Sequence, residues 1–114
     1  MWQDRNHYVR GAWDQARAEA LVGKYIIVGF TYLEADGETF IRQEQFHGVI
    51  VSAHEQNGIT IACRGDCVGE TKWLPPDVST ILDARPGEYR LRSTGEIIID
   101  PDLTTSWTSI KPPN

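Results

Sequence analysis

Gln43, Gln45 and His47 stand two residues apart in a stretch rich in strand-forming side chains. Successive side chains of a strand alternate between faces, so the two amides and the imidazole would point the same way. A hairpin turn at Asp36-Gly37 would set their cross-strand neighbours as Phe30, Val28 and Ile26. A few polar groups converging over an apolar floor are what a ligand or peptide pocket needs. The same three residues would also suit a polar strip emerging into solvent, with the glutamines bonded to nearby backbone.

Other chemistry-bearing residues combine less well. His54 precedes the acidic turn Glu55-Gln56-Asn57, as a surface histidine beside a hairpin does, although imidazole also suits metal binding or pH sensing. His47 and His54 have opposite parity, so a continuous strand holds them on opposite faces unless a bulge intervenes. Cys63 and Cys67 are spaced C-x3-C, unlike the C-x2-C of redox motifs and zinc knuckles. Zinc would need both cysteines and two of His7, His47 and His54, a set without zinc-site spacing. Between the cysteines, Arg64-Gly65-Asp66 reads as turn chemistry. A cysteine nucleophile would need a histidine beside it, and the expected register pairs His54 with Ile61 instead. Glu38, Glu44, Asp66, Glu70, Asp100 and Asp102 are available for acid–base work, but no spacing sets two of them together. Phosphate loops, dinucleotide fingerprints, H-E-x-x-H and G-x-S-x-G are absent. The sequence therefore assigns no catalytic residue, no cofactor and no metal, and leans away from an enzyme.

The chain has 114 residues, with 11 Lys and Arg against 16 Asp and Glu, for a formal charge of −5. Hydrophobic residues make up 40%, the composition of one compact folded domain. The acidic balance disfavours nucleic acid, whose phosphates are held by Lys and Arg. Arg85, Arg90 and Arg92 alternate with Glu88 and Glu96, which describes a mixed solvated face. No run is long enough to span a membrane, and the opening MWQDRNHYVR lacks the apolar stretch of an export signal. With two cysteines and no such signal, the expected setting is the reducing cytoplasm.

The elements that must position these residues follow from periodicity. Trp13, Ala16, Ala20 and Leu21 fall on one face of a helix over about 12–22, and Gly23 suits its C-terminal cap. The rest reads as strands and turns. Around Asp36-Gly37, Glu34 is expected opposite Thr39, Leu33 opposite Phe40, Tyr32 opposite Ile41 and Ile27 opposite Phe46. Gly48 predicts a sharp bend or bulge. Asn57-Gly58 predicts a turn pairing His54 with Ile61 and Ser52 with Cys63. Short strands at 71–74 and 78–84 flank Pro75-Pro76. After Pro86-Gly87, a hairpin closed by Ser93-Thr94-Gly95 would pair Leu91 with Ile97, Tyr89 with Ile99 and Arg92 with Glu96. Its buried face would then be Tyr89, Leu91, Ile97 and Ile99. Asp100-Pro101-Asp102 ends that strand, and 104–110 adds one more. Trp73 and Trp107 are expected to fill the core or cover its ends, Trp13 to pack from the helix, and Trp2 to remain spare for a binding surface.

Residues 22–84, with the bend at Gly48, the Asn57-Gly58 turn and the short strand running into Pro75-Pro76, resemble an Sm-like or SH3-like small β-barrel. Leu74-Pro75-Pro76-Asp77, Pro86-Gly87, the run Tyr89 to Glu96, Asp100-Pro101-Asp102 and Trp107 are together similar to a group of short, uncharacterised bacterial proteins. That resemblance implies a bacterial relative without an activity. The expected architecture is one mainly β domain: an N-terminal helix, a small barrel over about 24–84, and a C-terminal hairpin and strand over about 88–110 that extend the sheet. The expected function is a non-enzymatic module that binds a protein or peptide. A second reading is a small-molecule binder or enzyme using the face of Gln43, Gln45 and His47, and a third is RNA binding by analogy with Sm barrels. The edge of the hairpin at 88–100 would also allow pairing into a homo-oligomer.

Overall fold

The computed structural model describes residues 3–4 and 12–113; Trp2 and His7 lie outside them. Nine strands and one α-helix follow in the order β1 (Gln3–Asp4), α1 (Gln15–Leu21), β2 (Tyr25–Leu33), β3 (Phe40–His54), β4 (Gly58–Cys63), a 3-10 turn (Gly65–Cys67), β5 (Thr71–Leu74), β6 (Ile81–Asp83), β7 (Glu88–Arg90), β8 (Ile97–Ile99) and β9 (Leu103–Ile110). The fold is mainly β with one helix, as expected. Its sheet runs β1-β9-β2-β3-β4-β5, with β6 also on β9, and β5 does not return to the other end. The ladder is therefore open rather than closed into a barrel.

Asp14 caps α1 by accepting the Arg17 N–H at 3.1 Å, which starts the helix later than the periodicity at 12–22 predicts. Ala18 and Leu21 are its buried residues, whereas Ala16 and Ala20 face solvent. Gly23, at φ 90, turns the chain out of the helix as a C-cap glycine does. Trp13 packs from outside the helix against the same core.

A single bulge decides how β2 and β3 meet. Leu33 lies opposite Phe40 and Glu34 donates to the Thr39 carbonyl at 2.8 Å, as the turn predicts. Beyond that point Tyr32 pairs with Arg42, so Ile41 is skipped and every later pair moves by one residue. Ile27 therefore faces His47 rather than Phe46, and Val28 faces Phe46. Ile26, Val28 and Phe46 consequently share the main core with Ile50, Ile59, Ile61, Leu74, Leu103 and Trp107. Phe30 stacks there between Phe46 and Trp107, with ring centroids 6.3 and 6.4 Å away.

β4 joins β3 at Gly48, where a Cβ would sit 2.1 Å from the Ala62 carbonyl oxygen. The bulge itself falls three residues later, at Val51. Gly58 at φ 85 lengthens the β3–β4 turn beyond two residues, so His54 pairs with Gly58 and Ser52 with Thr60 instead of Ile61 and Cys63. Residues 71–74 form the expected strand, but only Ile81–Asp83 of the stretch at 78–84 does so. β9 is not a peripheral addition: it runs parallel to β2 through the middle of the sheet. Trp107 on β9 is buried, whereas Trp73 on β5 is 63% exposed and fills no core.

The C-terminal hairpin departs furthest from expectation. β7 and β8 form a separate two-stranded sheet rather than an extension of the main one. Gly95 donates to the Leu91 carbonyl at 2.7 Å, closing a loop one residue longer than Ser93-Thr94-Gly95. Tyr89 therefore pairs with Ile98, and Arg90 with Ile97. Since a slip of one residue inverts a strand's faces, Ile98 is buried while Ile97 and Ile99 are exposed. Asp100, at φ 52, and Asp102 finish the hairpin: Asp100 accepts from the Gly87 N–H at 2.7 Å and Asp102 from the Tyr25 N–H at 2.8 Å.

Candidate functional site

Because no bulge falls between Arg42 and Val49, Gln43, Gln45 and His47 do share one face of β3. It is the face away from the main core, shared with Ile27, Gly29 and Thr31 rather than Ile26, Val28 and Phe30. The three residues meet three different fates. His47 is 4% exposed, roofed by the β7–β8 hairpin. Gln45 is half-buried and accepts the Ser93 N–H at 3.0 Å. Gln43 is exposed. They do not converge on one pocket.

His47 instead belongs to a buried polar chain. Its Nε2 lies 2.9 Å from Glu96 Oε2, and its Nδ1 lies 2.6 Å from the Tyr25 hydroxyl. Burial pushes the Glu96 carboxyl up, but hydrogen bonds from His47, the Asp66 N–H and Thr94 outweigh it and hold the pKa below the usual glutamate range. An ionised Glu96 only accepts, so Nε2 carries the hydrogen toward it. In the neutral ring Nδ1 then accepts from Tyr25. Burial, opposed by Arg64 and reinforced by Glu96, raises the Tyr25 hydroxyl and keeps it protonated. Ile27, Leu91 and Ile98, with Tyr25 and Tyr89 beside them, form the small apolar cluster around this chain. Gly65 makes room for it: a Cβ there would lie 2.1 Å from Glu96 Oε2 and 2.7 Å from His47 Nε2. With φ 64, Gly65 also confirms that Arg64-Gly65-Asp66 is a turn.

Spacing singles out neither Glu96 nor Tyr25, and it marks Gly65 only as part of a turn. The expected register sets Glu96 on the wet face opposite Arg92, and the one-residue longer loop turns it toward His47 instead. The sequence signal that bears on it is Gly95, whose φ of 80 ends the longer loop.

Beside this chain runs an open groove of about 370 Å³. Arg42, Gln43, Glu44 and Gln45 of β3 form one wall, and Asp66, Cys67, Glu70 and Lys72 the other. Ser93 and Thr94 close one end. Lys72 pairs with Glu44 at 3.6 Å and Glu70 at 3.5 Å. Desolvation pulls its pKa down, but Glu44 and Glu70 outweigh this and raise it, so the amine stays charged. Arg42 stacks 4.0 Å above the Tyr32 ring. Neither His47, Tyr25 nor Glu96 lines the groove.

The first wall is a sheet edge. β4 pairs with β3 only from Gly48 onward, so the preceding half of β3 has β2 on one side alone. Ile50 exchanges backbone bonds with Lys24 and Gly23 on the β2 side, whereas the His47 carbonyl accepts from Arg64 on the other. Backbone direction alternates along a strand, so the N–H and C=O groups of Gln43 and Gln45 point into the groove. No strand pairs with that edge among the described residues. Those residues also contain no cluster of His, Cys, Asp and Glu fit for a metal, and no helix long and apolar enough to cross a membrane. Cys63 and Cys67 are free thiols. No family model, curated protein or solved structure matches the chain.

Proposed function

We propose that this chain is a non-enzymatic peptide-binding module that takes an extended segment of a protein partner against the free edge of β3. The observation that carries this reading is the unpaired backbone of Gln43 and Gln45, recessed between the 3-10 turn and the tip of the C-terminal hairpin. An extended peptide there would exchange main-chain hydrogen bonds with both residues and so add a strand to the sheet. Lys72, Glu70 and Asp66 across the groove would read its side chains. The recess favours a single extended chain over the edge of a second folded sheet, which argues for a peptide over a homo-oligomer at this place. The setting proposed for it is a bacterial cytoplasm.

The enzyme or small-molecule reading has less support, since His47 is buried under the hairpin and neither it nor Tyr25 nor Glu96 lines the groove. The long β3, paired with β2 over its first part and with β4 from Gly48 onward, supports a comparison with Sm-like or SH3-like barrels. RNA binding by that analogy meets a groove wall carrying Asp66 and Glu70.

The test is selection from a displayed library of linear peptides, followed by titration of a selected peptide into protein carrying Gln43→Pro. Proline removes a donor that points away from β2, so the β2–β3 ladder keeps its bonds. Capture lost in the variant at an unchanged melting temperature supports edge addition. Capture that survives the substitution, or a library that yields no binder, overturns it.

A further inference from the structure

Cys63 ends β4 and is fully buried, while Cys67 sits half-buried in the 3-10 turn and lines the groove. Both are fastened to one residue: Cys63 N–H donates to the Glu70 carbonyl, and Glu70 N–H donates to the Cys67 carbonyl, each at 3.0 Å. The two thiols are near enough for Cys67 to act on the titration of Cys63. Cys67 Sγ lies 3.4 Å from the Arg64 carbonyl oxygen, folded back over the loop that joins the pair. With both ends fastened to Glu70, the loop holds the two cysteines side by side, the arrangement a disulfide requires.

We propose that Cys63 and Cys67 are an oxidisable pair that closes an intrachain disulfide when a peroxide enters the groove. The two positions divide the chemistry. Burial, reinforced by Cys67, pushes the Cys63 thiol up to about 12, so Cys63 does not start the reaction. Cys67, at the groove, attacks as thiolate on one peroxide oxygen, and the O–O bond breaks. The departing hydroxide takes a solvent proton and leaves as water, and Cys67 becomes a sulfenic acid. Cys63 Sγ then attacks Cys67 Sγ and the S–O bond breaks. The hydroxide released takes the Cys63 proton and leaves as a second water. Two thiols are oxidised to one disulfide and one peroxide is reduced to two waters, with nothing else required.

The disulfide would fix the turn whose Asp66 N–H holds Glu96 at 3.0 Å, and would withdraw the Cys67 sulfur from the groove wall. Any effect on peptide capture rests on the function proposed above; the disulfide itself does not.

The experiment treats the full chain with hydrogen peroxide, alkylates remaining thiols under denaturing conditions, and maps the product by mass. The expected result is loss of two hydrogens, loss of both alkylatable thiols, and a tryptic fragment pair cut after Arg64 that separates on reduction. In Cys63→Ala, the sulfenic acid on Cys67 should persist and react with dimedone. In Cys67→Ala, Cys63 should remain alkylatable. Oxygen retained on wild-type Cys67 with Cys63 still alkylatable, or cross-links only between two chains, overturns the proposal. A selected peptide is then titrated into reduced and oxidised protein. If the disulfide forms and neither form binds peptide, the peptide reading falls and the thiol pair stands. If peptide binds and no disulfide forms, the reverse holds.

Discussion

The two faces of β2 and β3 are held by different physics. On one face, Ile26, Val28, Phe46 and Ile50 join a continuous apolar core that also takes residues from α1, β4, β5, β6 and β9. On the other, the β7–β8 hairpin rests on three buried apolar residues, Ile27, Leu91 and Ile98, and on the polar chain from Tyr25 through His47 to Glu96. Burial of apolar area is non-directional and tolerates small shifts. A buried hydrogen-bonded pair is directional, and loss of one partner strands the other. The hairpin should therefore be the separable part, and it also walls the end of the groove through Ser93 and Thr94.

The comparison can be broken from either side, and the largest effects belong to the main sheet. Gly48→Ala places a methyl against the Ala62 carbonyl oxygen and should cost about 3 kcal/mol or more, or abolish folding. Ile61→Ala, which only leaves a cavity, should cost about 2–5 kcal/mol by urea titration with an unchanged slope. Similar values for hairpin residues would erase the distinction. Glu96→Ala should be milder globally, about 1–3 kcal/mol, because His47 keeps Tyr25 but loses its other partner. Its signature is local: hydrogen exchange should accelerate over 88–99 while β2, β3 and β9 stay protected.

A pH series sharpens the same point. The folded Glu96 pKa lies below its unfolded value, so the stability it contributes is complete above the ordinary glutamate range. That contribution is lost as pH falls through the lower folded value. Acid should loosen the hairpin before the sheet, a difference visible as earlier exchange at the amides of 88–99. The smallest effect is expected at the exposed turn, where Asp36 accepts from Glu38 and Thr39 N–H, both at 2.8 Å. Asp36→Ala should lower the melting temperature only slightly and leave both faces alike.

What was legible depended on the kind of signal. The helix cap at Gly23, the turn at Asp36-Gly37 and the strand at 71–74 follow from local backbone preferences, and each lies where those preferences put it, whereas the turn expected at Asn57-Gly58 sits over 55–57 with Gly58 already in β4. The shared face of Gln43, Gln45 and His47 was legible for the same reason, since parity is local so long as no bulge intervenes. Their environment was not. Skipping Ile41 set His47 opposite Ile27, and one extra loop residue before Glu96 turned Ile98 inward in place of Ile97 and Ile99. A register is counted from its turn, so an error of one residue at a turn inverts every side chain beyond it.

The amino-acid sequence by itself determined that this is a mainly β domain with one helix ended at Gly23 and a turn at Asp36-Gly37. Those are short-range demands of backbone conformation and alternation. The tertiary structure alone decided that β9 enters the middle of the sheet beside β2, that the hairpin folds back as a roof, and that Glu96 meets His47 across 49 positions of chain. It also decided that β4 parts from β3 at Gly48 and leaves an edge bare. These are long-range pairings, chosen by which faces can be buried together, and no local preference of the residues involved encodes them.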